Sequence, residues 1–170
     1  MRLFHTIHQI DLMTFDWCLR RKHRELAVVL SRYVSRVADG PLYAVIVFVF
    51  MLLEQWHMVK LMVVAFLIER ALYCIFKSSF RRNRPAVAIP GYKSEVVPSD
   101  QFSFPSGHTS AAFLVACALV GAYPALGWLL YPWAVSVGAA RVMLGVHFPT
   151  DVMAGALLGH TICLLVLAAL

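Results

Sequence analysis

Residues 151–170 read DVMAGALLGHTICLLVLAAL, an acid followed by nineteen positions without a charged residue. About 20 apolar residues are what a helix needs to cross a hydrocarbon layer roughly 30 Å thick. Stretches of the same kind recur upstream at 41–53, 58–76, 109–122 and 126–146, and a weaker one at 26–38 carries Arg32 and Arg36. Turn residues separate them, Asp39-Gly40-Pro41 before the second and Gly121-Ala122-Tyr123-Pro124 between the fourth and fifth. Six spans use roughly 120 residues, which leaves no room for a separate soluble domain in a chain of 170.

Composition agrees with that reading. Of the residues 61% are hydrophobic and only 14% charged, with a mean hydropathy of +0.73. A soluble domain is nearer half apolar and a quarter charged, and a small globule has too little interior to hide such an excess. The expectation is an all-α integral membrane protein, one domain over 1–170, built as a six-helix bundle. Residues 3–19 mix Leu3, Phe4, Ile7, Ile10, Met13, Phe15, Trp17 and Leu19 with His, Asp, Gln and Thr. That mixture is too polar to span and suits an interfacial amino-terminal helix. These first residues lack the pattern of a cleaved signal peptide, so the first span is expected to act as its own insertion signal.

The net charge is +6 and the isoelectric point about 9.4. The cations fall in two groups, Arg20, Arg21, Lys22 and Arg24, then Lys77, Arg81, Arg82 and Arg84. This clustering suits lipid headgroups or a phosphate, and argues against a nucleic-acid partner, which needs a long basic face. Cys18, Cys74, Cys117 and Cys163 are far apart and read as buried apolar fillers. His57 and His160 read as packing residues.

A count of crossings assembles a site. With the basic amino-terminal group on the cytoplasmic side and the end of the third span on the opposite one, the fourth span starts and the fifth ends on that same outer side. Three polar clusters then converge, at 77–85, 105–108 and 141–151. Ionisable residues at membrane depth are costly and mark function.

The first cluster, KSSFRRNRP, reads either as headgroup-solvated stop-transfer cations or as a clamp in which Arg forks and a Lys point charge hold phosphate oxygens. The second, Pro105-Ser106-Gly107-His108, stands at a helix start. It reads as a cap or as an anion site of free N–H groups, with His108 placed to give a proton to a leaving oxygen. In the third, Asp151 can accept from one nitrogen of His147 and leave the other with its lone pair free, beside Arg141. That makes His147 a nucleophile candidate.

Together the segments K-x6-R-P (Lys77 to Pro85), P-S-G-H (Pro105 to His108) and R-x5-H-x3-D (Arg141 to Asp151) resemble the signature of the type 2 phosphatidic acid phosphatase family, which also includes vanadium haloperoxidases. One departure is Ala140, where the third motif usually opens with Ser. The resemblance implies a metal-independent, cofactor-free lipid phosphatase in which His147 forms a phosphohistidine, Asp151 orients it and His108 protonates the leaving group. It also implies that Lys77, Arg84, Ser106, the Gly107 N–H and Arg141 hold the phosphoryl oxygens. Undecaprenyl diphosphate, phosphatidylglycerophosphate, phosphatidate or a lipid A phosphate would be the substrate, at the outer face of a bacterial inner membrane. Two other readings stand beside it: phosphotransfer to an acceptor other than water, and a silent membrane scaffold. Residues 86–104, Pro- and Gly-bearing and too long for a turn, are expected to form a lid or selectivity loop. Arg32 and Arg36, with Asp39, are expected in an interhelical ion pair reaching Glu69.

Overall fold

The computed structural model describes residues 2–20 and 22–170; Arg21 of the first basic group lies outside the described residues, as do the side chains of Leu3, Phe4, Ile7 and Leu19. Eight α-helices run along the described chain: α1 (Arg2–Leu19), α2 (Arg24–Val37), α3 (Gly40–Leu52), α4 (Trp56–Phe80), α5 (Pro85–Ala88), α6 (Gly107–Ala122), α7 (Gly127–Met143) and α8 (Pro149–Ala169). A short 3-10 turn at Pro124–Leu126 links α6 to α7. Strands are absent among the described residues, and only an isolated bridge pairs Asn83 with Phe102. The described chain is therefore all-helical, with eight helices where six spans and one interfacial helix were expected.

Helix α6 is the axis. Ala112, Leu114, Val115, Ala116 and Ala118 are completely buried, as expected of a helix that is apolar on every side. On one side it meets α3, α4 and α8 through Tyr43, Phe50, Leu61, Met62, Ile162 and Val166. On another it meets α2 and α7 through Ala38, Ala134 and Val137.

The contact of α6 with α8 is set by glycines. A Cβ on Gly155 would fall 2.4 Å from the Ser106 carbonyl oxygen, and one on Gly159 only 1.9 Å from that of Ser110. Small residues are what allow helix backbones to approach this closely. At the end of the same seam the Ser106 amide donates to the Asp151 carbonyl at 3.0 Å.

Helices α2 and α3 correct the expected topology. The spans at 26–38 and 41–53 are the limbs of one element, bent by 40° at the Ala38–Asp39 break. Gly40 and Pro41 interrupt the helix without supplying the residues a reversal needs. Val28 packs beside Leu144 and Val146, and Ala38 beside Ala134 and Val137, so α2 descends along α7. Phe50 then reaches Met58 at the start of α4. The pair runs once from end to end of the bundle, and at 14 and 13 residues neither limb alone matches the length of a crossing.

This change moves the amino terminus. Arg24 pairs with Glu95 at 2.5 Å, and Asp11 of α1 accepts from the Thr150 amide at 3.0 Å. The amino-terminal segment thus lies at the same end as Lys77 and Asp151, not opposite them. The crossing count failed because it took α2 and α3 as two passages.

Much of the surface is apolar: Leu52, Leu157 and Trp128 are 68%, 68% and 92% exposed. Helix α8, at 21 residues and mean hydropathy 2.2, is by itself long and apolar enough to cross a membrane. Helix α4 has the length but carries Lys60, Glu69, Arg70 and Lys77. Helix α1 docks Phe15 against Val142 and Phe148 and leaves Ile10, Met13 and Trp17 exposed. Of the cysteines, Cys117 and Cys163 are buried as expected, whereas Cys18 is intermediate and Cys74 exposed. His57 is exposed in the first turn of α4 rather than packed.

Gly159→Ala forces the α6 backbone away and should cost about 1–3 kcal/mol. Gly127→Ala, whose Cβ would meet nothing nearer than 3.7 Å, should stay within about 0.5 kcal/mol. Thermal unfolding of the two variants in detergent checks this; equal melting temperatures would refute the close seam.

Candidate active site

One cavity of about 990 Å³ receives residues from all three motifs: Arg84, Gly107, His108, Arg141 and His147 line its polar end. The helix ends explain the convergence. Arg84 precedes α5, Gly107 and His108 open α6, Arg141 lies in the last turn of α7, and His147 sits in the link to α8. Gly145 makes that link possible. Its φ of +72° belongs to glycine, and a Cβ there would strike the Tyr92 hydroxyl.

His147 is buried to 2% exposure. Its Nε2 lies 3.4 Å from Nη1 of Arg84. A guanidinium only donates, so this contact is a hydrogen bond only in the tautomer that carries its hydrogen on Nδ1 and turns the Nε2 lone pair to Arg84. Burial pushes the imidazole pKa down to about 4, with Arg84 acting in the same direction against the pull of Asp151. The ring is therefore neutral at pH 7, the state a nucleophile needs.

Asp151 stands 3.8 Å from Nδ1, close enough to favour the Nδ1–H tautomer but longer than a hydrogen bond. Its oxygens are committed elsewhere. Oδ2 accepts from the Phe148 amide at 2.8 Å, and Oδ1 from Nη1 of Arg82 at 2.7 Å. Arg82, assigned no separate role from the sequence, spreads its guanidinium over the Phe148 ring at 4.5 Å. It also reaches Asp11, fully buried, at 2.5 Å. A chain of charges thus runs from α1 to the histidine: Asp11, Arg82, Asp151, His147.

His108 Nε2 lies 2.8 Å from Asp39 Oδ1 at the α2–α3 bend. Arg141 donates through Nη1 to Ser35 Oγ at 2.6 Å. Both partners come from the bent element, so it furnishes one wall of the site. These contacts correct the expected ion pair. Asp39 serves His108, Arg32 reaches Glu95 at 3.4 Å, and buried Glu69 takes its neighbour Arg70 at 3.2 Å.

Lys77 and Ser106 are buried behind the cavity wall. Ser106 Oγ shares a hydrogen with Thr109 Oγ1 at 2.9 Å, and no side chain caps the start of α6, which keeps its first N–H groups clear of side-chain acceptors. Gly107 matters for packing: a Cβ there would meet the Tyr73 ring at 2.9 Å. Lys77 Nζ donates to Tyr73 at 2.5 Å and to Asp100 Oδ2 at 2.7 Å.

Sequence reasoning missed Asp100, in the segment expected as a lid. Its carboxylate also accepts from Nη2 of Arg84 and from the Tyr73 hydroxyl at 2.6 Å. Burial would raise its pKa, but hydrogen bonds from Lys77, Tyr73 and Arg84 overcome this and hold it at about 2. A signal existed: Glu95 and Asp100 are the only acids between residues 70 and 150, beside four cations in 77–84. Among the described residues no three His, Cys, Asp or Glu side chains cluster as metal ligands do.

Comparison with known proteins follows the geometry. The model of the PAP2 superfamily matches residues 56–170. An undecaprenyl-diphosphatase of Sulfolobus acidocaldarius is 33% identical over 143 residues, covering 82% of this chain and 67% of that protein. The chain spans only about half the length of several other curated relatives it matches. Among solved structures, LpxE of Aquifex aeolicus superposes with a TM-score of 0.81 at 27% identity, over 92% of this chain and 94% of that one. A transmembrane PAP2-type phosphatidylglycerolphosphate phosphatase of Bacillus subtilis does so with 0.78 at 26%, over 96% and 86%. With its three motifs gathered at one end of a helical bundle and its last 115 residues matching the family model, the chain belongs to the PAP2 superfamily.

Proposed function

We propose that the chain is a membrane-embedded phosphatase that removes phosphate from a lipid phosphate or diphosphate through a phosphohistidine, without a metal. One observation carries this reading. The cavity that holds both histidines with Arg84 and Arg141 continues between α3 and α4 as a groove lined by Val47, Phe48, Met51, Val63, Phe66 and Leu67. A cationic head end joined to an apolar slot matches an amphipathic molecule with a phosphate at its tip. The chain's relatives, among them an undecaprenyl-diphosphatase and a phosphatidylglycerophosphatase B, support the same class.

In the proposed reaction Nε2 of His147 attacks phosphorus, and the P–O bond to the lipid breaks with its electrons on that oxygen. His108, held by Asp39, supplies the proton. Water then attacks the phosphohistidine, the P–N bond breaks, and His108 takes the water's proton. Arg84, Arg141, Lys77, Ser106 and the Gly107 N–H are assigned to the phosphoryl oxygens. Phosphoryl transfer depends mainly on such positioning and charge neutralisation. Asp151 is assigned to orient His147, and Arg82 holds Asp151 for that task.

The proposed membrane arrangement has the bent α2–α3 pair, α4, α6, α7 and α8 as five passages, with α1 in the interface on the face of the site. The apolar stripe Ile10, Met13 and Trp17 supports that place for α1. The site is assigned to the outer face of a bacterial inner membrane. Cation counting does not argue for that side, because both basic groups lie at the site end.

Purified protein with EDTA present should release phosphate from a panel of lipid phosphates and diphosphates. His147→Ala should reduce the rate at least about a thousandfold with unchanged gel-filtration behaviour; full residual activity would remove the nucleophile. Because burial lowers the His147 pKa, the NMR signals of its imidazole should stay those of the neutral ring down to about pH 4. A titration of that ring near pH 6.5 would refute the buried, neutral nucleophile. Val97 in the 86–104 segment is 95% exposed, so Val97→Cys should react with an impermeant maleimide in intact cells. Labelling only after lysis would place the site inside.

A further inference from the structure

The position of Asp100 makes two statements about the site at once. Its carboxylate engages Lys77 at 2.7 Å, Tyr73 at 2.6 Å and Arg84, and its main-chain oxygen accepts from Nε of Arg84 at 3.0 Å. Lys77 and Arg84 are the cations assigned to phosphate, so the acid stands where the phosphoryl group has to bind. Lys77 and Arg84 are 10% and 5% exposed as side chains, while Asp100 is 33% exposed at the mouth. The cations are fixed from behind, and the acid faces the opening.

We propose that Asp100 is a built-in competing anion that sets a threshold of affinity at the site, which terminal phosphate groups pass and phosphodiesters do not. This rests on the reading of Lys77 and Arg84 as phosphate ligands. The threshold follows from charge and connectivity. A phosphodiester carries one negative charge, as Asp100 does, but Asp100 is held at the site by the chain and enjoys a high effective concentration there. Exchange of one singly charged acceptor for another gives the diester no advantage. A terminal phosphate carries between one and a half and two charges near pH 7 and three acceptor oxygens. It can satisfy Lys77, Arg84 and Arg141 together, which Asp100 does not. A bilayer presents phosphodiester headgroups in great excess, so an open cationic pocket would be filled by them. The ionised state of Asp100 persists over the whole working range, because its pKa lies near 2.

The Asp100 segment is built to leave. On its far side Ser103 is bound to Arg82 O, its amide at 2.8 Å and its hydroxyl at 3.3 Å, and Asn83 is bridged to Phe102. On its near side Glu95 is fixed by Arg24 and Arg32. Between these anchors Val97 is almost wholly exposed, and Asp100 bonds to the site residues Tyr73, Lys77 and Arg84.

Calorimetric titration of the purified protein in detergent with inorganic phosphate and with dimethyl phosphate tests the idea without any turnover. Wild type should bind phosphate and discriminate against dimethyl phosphate. Asp100→Asn, which keeps shape and removes charge, should bind both about tenfold more tightly, the scale of one charged hydrogen bond, so that dimethyl phosphate too occupies the site. Weaker or unchanged binding of both would show that Asp100 only positions the cations and would overturn the proposal. If Asp100→Asn does not fold, hydrogen exchange on the wild type decides. Peptides within 92–101 should exchange faster with saturating phosphate, and slower or equal exchange overturns the proposal. Phosphate binding without lipid hydrolysis would remove the enzymatic reading alone; no phosphate binding by either protein would remove both.

Discussion

The site depends on how near two backbones come. Gly155 and Gly159 let α8 lie against the carbonyls of Ser106 and Ser110, and at the end of that seam the Ser106 amide reaches the Asp151 carbonyl. The bond fixes the start of α6 to the start of α8. His108 and Asp151 follow from it, since each stands within one turn of the contact. A wider spacing would separate His108 from His147 by the size of a side chain, and effective concentration in sites of the proposed kind is lost over distances of about 1 Å.

Around that contact the charges are arranged in two shells that do not mix. Behind His147, Arg82 is shared between Asp11 and Asp151. In front of it, Lys77 and Arg84 share Asp100. Burying a cation without a partner is costly, so each buried motif cation has an acceptor in the ligand-free protein. The rear acceptors, Asp11 and Asp151, are fully buried, and the front one is partly open. Burial alone thus separates the two sets of acceptors.

The motifs were legible because their chemistry fixes residue types at short spacing: a histidine four residues before an acid, a histidine after Pro-Ser-Gly, a lysine seven before an arginine. The boundaries of α4, α6, α7 and α8 were legible too, because apolar runs end at Gly, Pro or charge. What the sequence hid is long-range. Asp39 reaches His108 across 69 positions, Ser35 reaches Arg141 across 106, and Asp11 reaches Thr150 across 139. Nothing local announces such partners. The passage from α2 to α3 misled for a different reason: Asp-Gly-Pro marks a break in a helix, but a break reads alike whether the chain bends by 40° or turns back. That ambiguity alone displaced the amino terminus to the wrong end.

The groove between α3 and α4 is short. From Gly40 to Met51 it follows eleven helical steps, roughly 17 Å at 1.5 Å each. A hydrocarbon seated there is gripped only along its first dozen or so carbons, and any longer tail trails out among neighbouring lipids. Such a slot works as a short handle rather than a ruler. Under the proposed reading it meets only the part of a lipid next to the phosphate, whatever length extends behind it.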